Sequence, residues 1–178
     1  MPRKIAWKAC EYLALAIPAI DRSRPEPHNP ARHKATSTAM SEVTEQGNEA
    51  AEPAGPTPYE MIGGAEVLHR IVDRFYEIMD TDPAAAGIRA MHGADLEPIR
   101  EKLFDFLSGW LGGPNLYFQR PDRKCLHSAH APYSIGGSER DQWLMCMYRG
   151  LEDAEVDPET RELLHKPFFI IADFVRNS

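Results

Sequence analysis

Residues 67–79 read VLHRIVDRFYEIM, and this stretch decides the fold class of the chain. Its large apolar side chains recur at spacings of one and three residues: Val67, Leu68, Ile71, Val72, Phe75, Tyr76 and Met79. Such spacing is typical of a helix with one apolar face, because these positions fall on the same side of a 3.6-residue turn. We expect the helix to follow the Gly63-Gly64 pair, to stop at Asp82-Pro83 and to give way to an irregular corner over residues 84–94.

Three further stretches with helical spacing of apolar residues follow this corner. They are predicted to begin near Asp95, near residue 139 and at Asp157. For the second of these helices, Ser138 and Asp141 are predicted to form the N-terminal cap. No stretch alternates apolar and polar residues with a period of two, so the predicted fold class is all-α.

The first third of the chain differs in composition from the rest. It is rich in Pro, Ala, Glu, Ser and Thr, and it holds few large apolar residues after Ile20. The sequence therefore predicts a disordered N-terminal extension over residues 1–57 and one helical domain over residues 58–178. The apolar run at residues 12–20 contains a proline and no clear cleavage site follows it, so secretion is not expected. A natural start at Met40 is an alternative that the sequence leaves open.

Charge and cysteine content restrict the possible partners and the compartment. The net charge is −7, and no basic stripe is evident, so nucleic acid is not an expected partner. No stretch reaches the roughly 20 apolar residues that span a bilayer, and membrane insertion is not expected. The three cysteines, Cys10, Cys125 and Cys146, form no paired pattern, which favours the reducing cytoplasm over a disulfide-forming compartment.

A histidine in the sequence LHSAHAPYSI, residues 126–135, is the strongest candidate for cofactor chemistry. His130 stands two residues before Pro132, at a point where a helical turn is expected to end. Its neighbours are largely apolar, and His127 is the only other His, Cys, Asp or Glu within residues 126–135. A single imidazole among apolar neighbours suits a flat cofactor that supplies most of its own coordination, which points to haem iron with one protein ligand.

Motifs between residues 59 and 175 resemble those of the truncated haemoglobins, and specifically of their second group. The matching elements are Tyr59-x-x-Ile62-Gly63-Gly64, Arg74-Phe75-Tyr76, Lys102-Leu103-x-x-Phe106-Leu107, Trp110-Leu111-Gly112-Gly113-Pro114, His130-x-Pro132-Tyr133-x-Ile135 and Arg140-Asp141-x-Trp143-Leu144-x-Cys146-Met147. The resemblance implies a short globin-like fold, a two-over-two helical sandwich. It also implies haem b, iron protoporphyrin IX, as the cofactor.

The resemblance assigns roles to individual residues by position. His130 corresponds to the proximal iron ligand. Tyr76 and Trp143 correspond to the residues that reach the bound ligand on the opposite, distal side. His92 falls in the corner that lines this distal pocket in relatives, where it is either a third donor or a residue of an exposed loop. Ile99 occupies the place of the usual distal histidine and cannot bind iron.

Further residues are implied to contact the haem. Lys102 is either an exposed lysine or a partner for a haem propionate. Relatives commonly carry arginines in the turn before the proximal histidine, so His127 is either a surface residue or their replacement. Tyr133 stands where relatives have phenylalanine. The rest of the implied haem pocket is formed by Phe75, Leu103, Phe106, Leu107, Leu126, Ile135 and Met147.

The resemblance implies reversible binding of O2 and other diatomic ligands such as NO and CO. An alternative is a haem enzyme that oxidises NO or uses peroxide, with dioxygenase-like or peroxidase-like chemistry and an unidentified reductase. A third interpretation is an α-helical interaction module without a cofactor. The chain is expected to be a monomer or a homodimer.

Overall fold

The computed structural model describes residues 55–178, and these contain seven α-helices and no strand. The helices are α1 Pro58–Met61, α2 Gly64–Thr81, α3 Ala86–Ala90, α4 Glu97–Trp110, α5 Leu126–His130, α6 Gly137–Asp153 and α7 Pro158–Phe174. Short 3₁₀ turns lie at Pro83–Ala85 and Tyr117–Gln119. The all-α fold class is confirmed. The predicted extension falls almost wholly on residues 1–54, outside the described residues, and the domain division remains a prediction.

Helix α2 lies at the centre of the domain and packs against both α4 and α6, while α6 also packs against α7. This arrangement is the two-over-two sandwich. The face of α2 predicted from the sequence is the one that is buried: Leu68, Ile71, Val72, Phe75, Tyr76 and Met79 are each at most 3% exposed. Among residues 55–178, every helix is too short or too polar to cross a lipid bilayer.

The corner predicted as irregular over residues 84–94 is wrong in part, because residues 83–90 are helical. Asp82 starts this segment, since its carboxylate accepts a hydrogen bond from the backbone N–H of Ala84 at 2.8 Å. The side chain of Gln142 on α6 holds α3 by accepting from the backbone N–H of Ile88 at 3.0 Å. Two short helical pieces of this kind have too few turns to show an apolar period in the sequence.

The predicted cap of α6 is also wrong. The Glu139 carboxylate accepts from the backbone N–H of Gly136 at 2.9 Å, and the helix begins at Gly137. Ser138 instead accepts a hydrogen bond from the side chain of Gln142 at 3.2 Å, inside the first turn. A glycine N-cap leaves no side-chain oxygen in the sequence to mark the helix start.

A glycine allows α2 and α6 to approach closely. A Cβ atom at Gly150 would lie 3.0 Å from the backbone oxygen of Ile71 and 3.4 Å from the backbone nitrogen of Phe75. We expect Gly150→Ala to lower the free energy of unfolding by about 1–2 kcal/mol, because overpacking outweighs the gain in helix propensity. Urea unfolding followed by circular dichroism measures this change. Gly137→Ala is the control, since its Cβ would approach only the end of a flexible arginine at 3.8 Å; an equal effect of both substitutions would contradict the packing argument.

Candidate functional site

His130 is the last residue of α5, and its ring is fixed by a hydrogen bond within that helix. The ring atom Nδ1 lies 2.7 Å from the backbone oxygen of Leu126 and is therefore the protonated nitrogen. Burial lowers the pKa of His130 below its ordinary value, the nearby His92 and His127 lower it further, and the bond to Leu126 opposes this shift. A neutral imidazole with Nδ1 engaged presents Nε2 as a lone-pair donor, which is the state that binds a metal.

Tyr76 on α2 supplies a buried hydroxyl that is poorly satisfied by the protein. The side chain is 3% exposed, and its hydroxyl donates only a long hydrogen bond of 3.4 Å to the backbone oxygen of Ile99. Burial raises the pKa of Tyr76 well above its ordinary value of 10, against a smaller opposing effect of Arg100. The phenol thus stays protonated, and it is available as a hydrogen-bond donor to a guest molecule.

His92 follows α3 and faces the same tyrosine. Its ring lies edge-to-face with the Tyr76 ring, with centroids 6.2 Å apart. The atom Nδ1 is 2.8 Å from the backbone oxygen of Ile88, so Nε2 is not used in that contact. His92 is half-buried, and it therefore lies beside Tyr76 rather than on a fully exposed loop.

Trp143 on α6 is connected to Tyr76 through Phe75. The rings of Phe75 and Tyr76 have centroids 4.9 Å apart, and those of Phe75 and Trp143 are 5.5 Å apart. Phe168 on α7 lies on Trp143 with a centroid distance of 6.0 Å. The structure thus brings the three predicted donors, from α2, from the turn after α3 and from α6, into one group of aromatic contacts.

The residues predicted to line the pocket differ in burial. Ile135, Leu107 and Met147 lie in the core, with exposures of 7% or less. Others are half-buried and pack against the core from its edge: Leu103, Phe106 and Leu126. Ile99 and Tyr133 are more open, at 37% and 43% exposed. Apolar side chains with accessible surface are what a flat hydrophobic cofactor requires around it.

The two candidate propionate partners are placed differently. Lys102 pairs with Asp122, with 2.8 Å between its Nζ and the carboxylate, so it already has an anionic partner. His127 is exposed on α5 and lies edge-to-face with Phe174, with centroids 6.5 Å apart. A propionate role for either residue remains a prediction.

Arg100 was missed by the sequence reasoning. Its guanidinium carbon lies 5.7 Å from the centre of the Tyr76 ring, and its Nη1 pairs with Asp73 at 2.7 Å. The cation therefore contacts the aromatic ring that carries the candidate donor. Nothing in the sequence signals this contact, because an arginine on a polar helix face is ordinarily solvated.

The donor set fits a haem group. One neutral imidazole offers a single nitrogen to iron, half-buried apolar side chains suit the porphyrin, and a buried phenol lacks a good acceptor. No group of three or more His, Cys, Asp or Glu side chains suited to a metal ion occurs within residues 55–178.

Comparison with known proteins identifies the family. The model of the bacterial-like globin family matches residues 57–177. The group 2 truncated haemoglobin YjbI of Bacillus subtilis (strain 168) is 35% identical over 107 residues, which are 60% of this chain and 78% of that protein.

Solved structures agree. A cold-adapted truncated haemoglobin from the Antarctic marine bacterium Pseudoalteromonas haloplanktis TAC125 is 40% identical, with a TM-score of 0.65 over 69% of this chain and 99% of that one. A truncated oxygen-avid haemoglobin from Bacillus subtilis is 32% identical, with a TM-score of 0.62 over 68% and 100% of the two chains. The chain belongs to the bacterial-like globins, and within them to the group II truncated haemoglobins. It is accordingly a globin, a haem-binding protein for gaseous ligands.

Proposed function

We propose that His130 binds the iron of haem b and that the domain reversibly binds O2, and also NO or CO. The observation that carries this proposal is the state of the His130 imidazole, which is neutral and has its Nδ1 engaged by Leu126 at 2.7 Å. When bound, haem would supply the iron atom that His130 would hold and that would take up the small ligand. The hydrogen bond to Leu126 sets the ring orientation and makes Nε2 the ligating atom.

Tyr76, Trp143 and His92 are proposed as the donors that hold a diatomic guest. The Tyr76 hydroxyl gives up only a 3.4 Å contact when it turns to a guest, so little is lost in the exchange. The Trp143 indole N–H can only donate, and its side chain is half-buried on α6. Each neutral hydrogen bond contributes about 0.5–1.5 kcal/mol to retention of the guest. The Bacillus subtilis relative described as oxygen-avid supports tight O2 binding as the proposed activity.

We place the protein in the reducing cytoplasm. The two cysteines of the described region, Cys125 and Cys146, are free thiols. Burial raises the pKa of Cys146 to about 11, which keeps its thiol protonated and unreactive at neutral pH. Neither cysteine is needed for the proposed ligand binding.

Optical spectroscopy of the purified full chain, expressed with a supply of haem, tests the proposed function. We expect a Soret band, one haem per chain, and a shift of the band when the ferrous protein takes up CO. A colourless protein that also fails to take up added haem would instead support a helical interaction module. Turnover of NO or peroxide with a physiological reductant would show the enzymatic alternative.

A further inference from the structure

The segment that carries His130 is weakly held by its own contacts. Helix α5 is a single turn of five residues without one fully buried side chain, and residues 131–134 after it are exposed. A single helical turn does not persist alone in water, because its first hydrogen bonds do not offset the cost of ordering the backbone. The position of the His130 ring therefore depends on contacts from elsewhere in the domain.

Asn177, just beyond α7, supplies these contacts. Its side-chain amide donates to the backbone oxygen of Tyr133 at 2.7 Å, and its side-chain oxygen accepts from the backbone N–H of Ile135 at 2.9 Å. Its own backbone N–H donates to the backbone oxygen of Ile135 at 3.0 Å. The same amide also reaches the backbone oxygen of His130, at the long limit of 3.5 Å.

Asn177 thus forms hydrogen bonds with both ends of the turn that follows the histidine, at His130 and at Ile135. Ser178 adds a backbone contact to Ile135 at 3.2 Å and a side-chain contact to Ser134 at 3.2 Å. Within residues 55–178, these two residues make all the hydrogen bonds that reach residues 126–135 from another helix or its flank. Ile135 is 7% exposed, so losing the acceptor for its N–H would leave a largely buried donor unpaired.

We propose that Asn177 is a positioning residue for the proximal ligand: it fixes the turn after His130 to the end of α7 and thereby sets the angle at which the imidazole meets iron. The proposal rests on the proposed function, since it takes His130 to be the iron ligand. Groups that orient a metal-binding imidazole alter the strength of the metal–nitrogen bond and the retention of the metal. The expected consequence of losing Asn177 is a weaker and less uniform iron–histidine bond.

The test compares Asn177→Ala and Asn177→Asp with the control Arg176→Ala in the haem-loaded full chain. Alanine removes all three side-chain hydrogen bonds, whereas aspartate keeps the acceptor for Ile135 and sets a carboxylate against the carbonyl of Tyr133. Arg176 is the neighbouring residue, but its side chain pairs with Asp173 on α7 and not with the turn. The readouts are the iron–histidine stretching band in the ferrous Raman spectrum and the rate of haem transfer to excess apomyoglobin.

We expect both Asn177 variants to shift or broaden the iron–histidine band and to lose haem roughly 10-fold faster, while Arg176→Ala matches the wild type. The inference is overturned when the Asn177 variants share the band and the transfer rate of the control. If Asn177→Ala does not fold, the same comparison with Asn177→Asp decides. A wild-type chain that takes up no haem overturns the proposed function and this inference with it, whereas a normal wild-type spectrum with unchanged variants overturns this inference alone.

Discussion

Replacing His130 with glycine is expected to lower haem affinity by at least roughly 100-fold. Removing a residue that only orients a metal ligand lowers metal affinity by about 10- to 100-fold, and removing the ligand itself should cost more. The loss should be larger than for other changes in the pocket, because the imidazole is the protein's proposed bond to iron. Millimolar imidazole should restore part of the Soret absorbance by occupying the space that the side chain leaves. Titration of the apoprotein with haem, with and without imidazole, measures both effects.

Ser128→Gly is the control for this substitution. Ser128 is exposed on the same short helix, so the change introduces the same backbone freedom without touching the ring. We expect this variant to bind haem as the wild type does. If His130→Gly binds haem as tightly as the wild type, His130 is not the iron ligand. If both variants lose the same haem affinity, the effect comes from the helix backbone instead.

The central helix α2 was predictable from the sequence, whereas the N-cap of α6 was not. The buried face of α2 repeats from Leu68 to Met79, over about three turns, and this spacing is typical of a helix rather than of a strand. The cap of α6 uses Gly136 and a carboxylate three residues later, and a glycine is equally consistent with a turn. A residue marks a helix start in the sequence only when its type is uncommon in other local structures, and glycine is common in turns and loops as well as at helix N-caps.

In the candidate site, too, some residues could be predicted from the sequence and one important contact could not. The resemblance named Tyr76, His92 and Trp143, and the structure places Tyr76 and Trp143 against Phe75 and His92 beside Tyr76. The contact between Asn177 and the turn after His130 joins segments more than 40 residues apart, and an asparagine near a helix end is ordinary. Such a partner is fixed by tertiary geometry alone, so a single sequence contains no signal for it.

Conversion of Tyr76 and Trp143 to phenylalanine is expected to speed O2 release from the ferrous protein. Each change removes one hydrogen-bond donor and keeps an aromatic ring against Phe75. At about 0.5–1.5 kcal/mol per bond, each single variant should release O2 up to roughly 10-fold faster. Stopped-flow displacement of O2 by CO measures the rate, and the double variant shows whether the two donors act independently.

Trp110→Phe is the matched control, because it makes the same chemical change outside the donor group. Trp110 is 6% exposed, its ring packs on Phe168 with centroids 5.2 Å apart, and its indole N–H is buried without a partner. Loss of that N–H therefore removes no hydrogen bond, and O2 release should be unchanged. If Trp143→Phe behaves like this control, the indole does not hold the guest. If the double variant is no faster than Tyr76→Phe, the phenol alone retains O2, since two independent donors would multiply their effects on the rate.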